Sequence, residues 1–484
     1  MTGFDLVIRN GRIATASDSF FADVGITDGR IEAIGRGLAA GRKEIDATGR
    51  LVLPGGVDAH CHLDQPSSDG TVCADDFRSG SISAAAGGTT TILPFALQTK
   101  GGSLRDTVAD YHRRADGKAV IDYAFHMIVT DPTPQVLGQE LPALIDRGYT
   151  SFKIYMTYDD LKLDDRQILD VLALARREQA MVMLHAENGD VIGWLTDRLE
   201  EAGLTTPAYH AVSRPMAVER EATHRAITLS EIIDVPILIV HVSGREAVDQ
   251  IRWAQSRGLR IYAETCPQYL FLDEDDLAKP DFEGAKCLCS PPPRDKANQE
   301  MLWSAIRGGV FQVFSSDHAP TRFDDPKGKK IRGTSGSFRY VPNGVPGLET
   351  RLPLLFSGGV SAGRIDLQTF VALTATKPAQ IYGLYPRKGS IVVGGDADIA
   401  IWDPERKVVI RNENLHHGVD FTPYEGIEVT GWPMTTISRG EVVVEEGAVV
   451  ATEGRGLFLP CDRPDPARPV VARPHAWEAP AGRR

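Results

Sequence analysis

Cysteine is scarce. Six stand in 484 residues, at positions 61, 73, 266, 287, 289 and 461, and no two have Cys-x-x-Cys spacing. That excludes a zinc ribbon or thiol redox motif of that type, and a chain this long does not need disulfides for stability. The expectation is free thiols in a reducing cytoplasm. No apolar run is long enough to span a bilayer. Met1-Thr2-Gly3-Phe4-Asp5 lacks the basic, then apolar start of a secretory signal. Positive charge is in deficit, with 53 Lys and Arg against 65 Asp and Glu and a net charge of −12. Nucleic-acid binding needs basic surface, so a polyanionic partner is excluded. The 42% hydrophobic and 24% charged residues are those of a soluble globular protein, and the length suits a large barrel plus an accessory domain.

Both ends of the chain read as β structure. Asp5-Leu6-Val7-Ile8-Arg9 and Ile13-Ala14-Thr15 are short strand-like runs around Asn10-Gly11. Val24-Gly25-Ile26 and Ile31-Glu32-Ala33-Ile34 flank Asp28-Gly29, a tight hairpin signal. Far downstream, Ile399-Ala400-Ile401-Trp402, Val408-Val409-Ile410 and Glu441-Val442-Val443-Val444 have the same character. Neither group buries a core alone. One small β-sandwich from residues 1–55 and 386–455 follows, with 56–385 inserted as a second domain. Residues 456–484, rich in proline and arginine, read as an extended or partly disordered tail.

Between the ends, strand and helix patterns alternate. Strands are expected at 57–60, 89–95, 121–126, 151–154, 181–185, 236–241, 260–265 and 311–317, and helices among them at 103–115, 166–178, 218–233, 247–257 and 295–307. Eight β–α units in succession predict a (β/α)₈ TIM barrel. An open doubly wound sheet would carry a Gly-rich phosphate loop after an early strand. Ala86-Gly87-Gly88-Thr89 precedes a strand instead.

The strand ends carry the chemistry. Val57-Asp58-Ala59-His60-Cys61-His62 closes the first strand, and alternation puts His60 and His62 on one face. His185 closes the fifth strand, His241 the sixth, Asp317 the eighth, and Lys153 lies in the fourth. All strand C-termini of such a barrel open onto one face. A lone histidine ending an apolar strand is more often a satisfied core residue. Four with an aspartate are hard to explain by packing and point to a metal site. An isolated lysine at a strand end snorkels to water. Beside two cations Lys153 would lose its charge, and the neutral amine could take up carbon dioxide as a carbamate that bridges two metals. His126 and His318 are read as structural.

Seven segments together resemble the dihydropyrimidinase/hydantoinase family of the amidohydrolase superfamily. They are 54–62 (Pro-Gly-Gly-Val-Asp-Ala-His-Cys-His), Gly87-Gly88-Thr89-Thr90-Thr91, 151–158 (Ser-Phe-Lys-Ile-Tyr-Met-Thr-Tyr), 185–190 (His-Ala-Glu-Asn-Gly-Asp), His241-Val242-Ser243, Ser316-Asp317-His318 and Pro342-Asn343-Gly344. The resemblance runs over nearly the whole chain and implies a cyclic amidase that opens dihydropyrimidines or hydantoins to N-carbamoyl amino acids. It implies that His60, His62 and Asp317 hold one metal and His185 and His241 a second, with carboxylated Lys153 between them. Zinc is the family metal, with manganese or cobalt as substitutes. Tyr158 would stabilise the oxyanion, Asp317 would move the proton, and Ser290 and Asn343 would hold the ring through backbone groups. Taken alone, the tyrosine reads as a packed ring and the two loops as ordinary turns. The family is commonly tetrameric, so a homo-oligomer, tetramer or dimer, is expected.

Three other readings are weighed. A dihydroorotase would carry an arginine just after the first histidine pair, where Leu63-Asp64-Gln65-Pro66 stands. Asp64 is expected to repel a substrate carboxylate. Allantoinase is the closer rival, since its site is so similar. A non-catalytic adaptor, like the collapsin response mediators, would lack the metal ligands that are all present here. The family often places a bulky apolar residue after the proline of the first loop. Ser67-Ser68-Asp69-Gly70 departs from that beside the site.

Overall fold

The computed structural model describes residues 3–470. Nine strands from the two chain ends share one sheet. Leu51–Pro54 joins them, pairing parallel with Phe4–Ala14 and antiparallel with Ile399–Val409. Ile8, Ile13, Val24, Val52, Ile399 and Ile437 pack as its core. The Asp28-Gly29 turn joins Ser19–Thr27 to Arg30–Gly35 as expected, both turn residues at positive φ. Asn10-Gly11 does not break its strand: Asn10 takes φ 59° in a bulge, and Phe4–Ala14 runs through as one.

The middle of the chain forms the barrel. Its strands are Gly56–Cys61, Thr89–Leu97, a divided third strand, Ser151–Tyr155, Met181–His185, Ile237–Ile239, Ile261–Thr265 and Val313–Phe314, each pairing parallel with the next. The expected third strand splits into Asp122–Tyr123 and His126–Ile128. Tyr123 exchanges backbone bonds with Leu457 and Leu459 of the tail, whereas Met127 and Ile128 pair with the fourth strand. Both halves pair with the second strand, and they differ in the neighbour on their other side. The sixth and eighth strands are shorter than expected, and the backbone turns left-handed beyond their ends, at His241 (φ 39°) and Asp317 (φ 48°).

The gap between the last strand and the first closes through a backbone bridge, His62 N–H to the His318 carbonyl (2.7 Å), and through side chains. Ser316 donates from its backbone N–H to Asp58 Oδ1 (3.2 Å) and from Oγ to the His60 carbonyl (3.2 Å). Arg351, wholly buried, donates to the Phe314 carbonyl (2.7 Å) and Thr89 Oγ1 (2.9 Å) and lies 3.3 Å from Asp58 Oδ2. The expected helices form as Leu104–Ala115, Asp165–Glu178, Met216–Ile233, Arg245–Ser256 and Lys296–Arg307. Ser103, Asp164 and Asp295 accept bonds from otherwise unpaired N–H groups at three of their starts. The tail from 456 to 470 is extended and held at intervals: Cys461 N–H bonds to the Gly148 carbonyl and Asp462 N–H to that of Gly383. Residues 471–484 lie outside the described residues.

Candidate metal centre

His60 ends the first barrel strand and is fully buried. Its Nδ1 meets Glu264 Oε1 at 2.7 Å, which turns Nε2 into the barrel mouth. There Lys153 Nζ lies 2.9 Å away and Asp317 Oδ1 3.0 Å. His62 Nδ1 is held by Gln65 Oε1 at 2.7 Å, and its Nε2 stands 3.6 Å from Asp317 Oδ1. The possible ligand atoms of His60, His62 and Asp317 lie within 4.8 Å of one another. Burial works against the Asp317 charge, but His60 and His62 outweigh it and hold the carboxyl well below the usual range.

The second histidine pair faces this group. His185 Nε2 meets Glu187 Oε2 at 2.7 Å, and Arg214 holds that same oxygen from 2.8 Å. Its ring centroid lies 4.3 Å from that of His241, which lies 5.5 Å from His60. Among the described residues neither ring nitrogen of His241 has a hydrogen-bond partner, although only 2% of the residue is exposed. Burial also drives its pKa well below the usual value, so the imidazole is neutral. A buried imidazole with a free lone pair is costly unless something accepts that pair. This donor set fits a metal ion. Carboxylate or amide partners on the far nitrogens of His60, His62 and His185 fix the rings, as histidine ligands require.

Lys153 is 1% exposed, and among the described residues it makes no ion pair with a carboxylate. Its Nζ sits 4.6 Å from the centroid of the Phe95 ring and 4.9 Å from that of Tyr155. Burial lowers its pKa to about 8, which makes the neutral amine accessible.

Tyr158, at φ 65°, turns its ring edge onto His185 with centroids 5.3 Å apart. Burial raises its phenol to about 12, so it is a hydrogen-bond donor at neutral pH. Ser290 Oγ donates to Asn343 Oδ1 at 2.6 Å. Tyr158, Ser290 and Asn343 line one cavity of about 1070 Å³ with Lys153, His185, His241 and Asp317. His126 sits below the mouth, its two nitrogens occupied by Ser151 Oγ (2.6 Å) and the Ala59 carbonyl (3.0 Å). His318 pairs with Asp75 (3.0 Å) and accepts from Gly347 N–H (3.0 Å).

One expectation is corrected. Asp64 does not face the cavity unpaired: it bonds to Arg114 at 3.1 Å, and Lys118 Nζ lies 3.9 Å away. The rejection of a substrate carboxylate therefore cannot rest on it. Sequence reasoning also passed over Glu187, Glu264, Gln65 and Arg214. Glu264 was within reach, since it lies near the C-terminus of the seventh barrel strand. Glu187 stands two residues beyond His185 in a segment already singled out. For Arg214 no local signal exists.

An amidohydrolase family model matches residues 51–443. This chain belongs to the amidohydrolase family. Within it the chain falls in the hydantoinase branch. It is 48% identical to a D-hydantoinase of Geobacillus stearothermophilus, over 94% of this chain and 96% of that one. It is 47% identical to a D-hydantoinase of Ralstonia pickettii, over 94% and 98%. A solved dihydropyrimidinase from Brevibacillus agri superposes with a TM-score of 0.92 at 45% identity, covering 97% of this amidohydrolase and 99% of that chain. Among the described residues no helix is long and apolar enough to cross a membrane.

Proposed function

We propose that this protein is a metal-dependent cyclic amidase that hydrolyses hydantoin and dihydropyrimidine rings to N-carbamoyl amino acids. The observation that carries this reading is His241, buried with both nitrogens free beside His60, His185, Lys153 and Asp317. His60, His62 and Asp317 would hold one divalent ion, and His185 and His241 would hold a second. Zinc is the proposed metal, and the neutral Lys153 amine could add to carbon dioxide, releasing a proton, to give a carbamate that would serve as a further ligand. Two such ions would lower the pKa of a shared water toward neutrality and polarise the ring carbonyl.

The chain's own groups do the rest. The Tyr158 phenol donates to the carbonyl oxygen as negative charge develops on it, a contact whose removal costs on the order of 3 kcal/mol in such sites. Asp317 accepts the proton of the attacking water and delivers it to the ring nitrogen as the C–N bond breaks. Backbone groups at Ser290 and Asn343 hold the ring's N–H and C=O edges. They read the ring and leave the saturated carbon facing the small Ser67-Ser68 pair. Two features support the cellular setting. The six cysteines are free, five of them buried, which suits a reducing cytoplasm. Val191, Trp194 and Val212 are 41%, 61% and 54% exposed on consecutive helices, which suits a homo-oligomer.

The test is kcat/KM for dihydrouracil, hydantoin, a 5-substituted hydantoin, allantoin and dihydroorotate in one buffer. Hydantoins or dihydrouracil should lead, with dihydroorotate essentially untouched. Allantoin or dihydroorotate as the best substrate would overturn the assignment within the family.

A further inference from the structure

Lys329 is 1% exposed. Its Nζ donates to three backbone carbonyls: Pro342 at 2.6 Å, Gly344 at 2.7 Å and Leu288 at 3.2 Å. Among the described residues no carboxylate pairs with it. A lysine in such a place ordinarily carries a buried counter-ion, because an ammonium taken out of water is costly. Here three carbonyl dipoles use its three N–H donors, one each. Burial opposes its charge, and the titratable groups that charge acts with are the thiols of Cys287 and Cys289 and the imidazole of His210.

The three carbonyls belong to the two loops that carry Ser290 and Asn343. Pro342 and Gly344 flank Asn343 directly, and Leu288 precedes Ser290 by two residues. The lysine itself is anchored outside both loops. Its N–H bonds to the Arg322 carbonyl at 2.8 Å. Asp420 accepts from the N–H groups of Phe323 (2.7 Å) and Asp324 (2.8 Å). A fixed post therefore reaches across and holds two otherwise irregular segments in register. Without it, two direct links remain: Gly344 N–H to the Leu288 carbonyl (3.0 Å) and Ser290 Oγ to Asn343 Oδ1 (2.6 Å).

Taking the substrate to be the cyclic ureide proposed above, we propose that Lys329 is a positioning residue that sets the spacing between the backbone edges at Ser290 and Asn343 that grip the ring. It touches neither the ring nor the histidine cluster. Its loss should weaken ring binding while leaving the chemical step largely intact.

The experiment compares wild type, Lys329→Met and Lys329→Gln, all with full metal content, by KM and kcat on dihydrouracil and by hydrogen exchange. Lys329→Met should raise KM at least ten-fold with kcat within about three-fold. Peptides covering 286–292 and 340–346 should exchange at least ten-fold faster while the rest of the barrel is unchanged. Lys329→Gln, which keeps two N–H donors, should lie between. Unchanged exchange in these peptides overturns the clamp whatever the substrate. Faster exchange with an unchanged KM overturns its role in ring binding. If neither variant folds, the lysine serves the fold as a whole and the proposal is overturned. Absence of any ureide turnover by wild type would instead overturn the functional reading, and exchange would still decide whether the clamp exists.

Discussion

At the residue scale, Asp317 has the largest proposed part in turnover. Its carboxylate lies 3.0 Å from His60 and 3.6 Å from His62, which outweigh the burial that opposes its charge, and it is the proposed carrier of the proton. Asp317→Asn should keep the fold but lose at least 10³-fold in kcat, since an amide cannot take up that proton. Near-normal turnover at full metal content would show that another group carries it. A second expectation concerns acid. Burial lowers His126 and His210 to about 3 each, and His417 to about 4. A histidine in an unfolded chain titrates at about 6.5, so between those values the unfolded state binds more protons than the folded one. Stability is therefore full above about pH 6.5 and falls as the pH drops toward about 3. The thermal midpoint of chelator-treated protein should be lower at pH 5 than at pH 8. An equal or higher midpoint at pH 5 would contradict these assignments.

At the element scale, the barrel was legible because buried parallel strands are unbroken apolar runs, and helices between them repeat at 3.6 residues. The ends of the short strands were not. The left-handed turns at His241 and Asp317 answer to tertiary bonds rather than to local composition. The same holds for the site. His60, His62, His185, His241, Lys153 and Asp317 announce themselves at strand ends, whereas Arg214 and Lys329 reach their partners from loops and short helices with no periodic mark. The Gly87-Gly88-Thr89-Thr90-Thr91 motif resolves as packing. A Cβ on Gly87 would lie 2.4 Å from the Glu349 carbonyl oxygen and 2.7 Å from its Cα, and Gly88 has φ 85°. Gly87→Ala should lower stability by about 1–3 kcal/mol through forced backbone movement. Denaturant unfolding measures this, and a change below about 0.5 kcal/mol would show that Glu349 moves aside freely.

At the scale of the molecule, the sandwich and barrel are joined by a buried charge cluster. Lys388, wholly buried, lies 2.8 Å from Asp122 of the barrel, 3.0 Å from Asp396 and 2.7 Å from Asp398 beside the sandwich. Arg439 also reaches Asp122 at 2.9 Å. Lys388→Met would leave these carboxylates crowded without their central cation, and should cost roughly 3–5 kcal/mol. Equilibrium unfolding of the variant checks this, and wild-type stability would mean that the cluster contributes nothing. The proposed binuclear, lysine-carbamate centre at the barrel mouth would open cyclic ureides. The direct measurement is ring opening of hydantoin by metal-stripped protein titrated with zinc, with and without bicarbonate. N-carbamoylglycine formation should plateau at about two zinc ions per chain and need bicarbonate. Full turnover without metal, or a plateau at one ion that is indifferent to bicarbonate, would contradict the proposed centre.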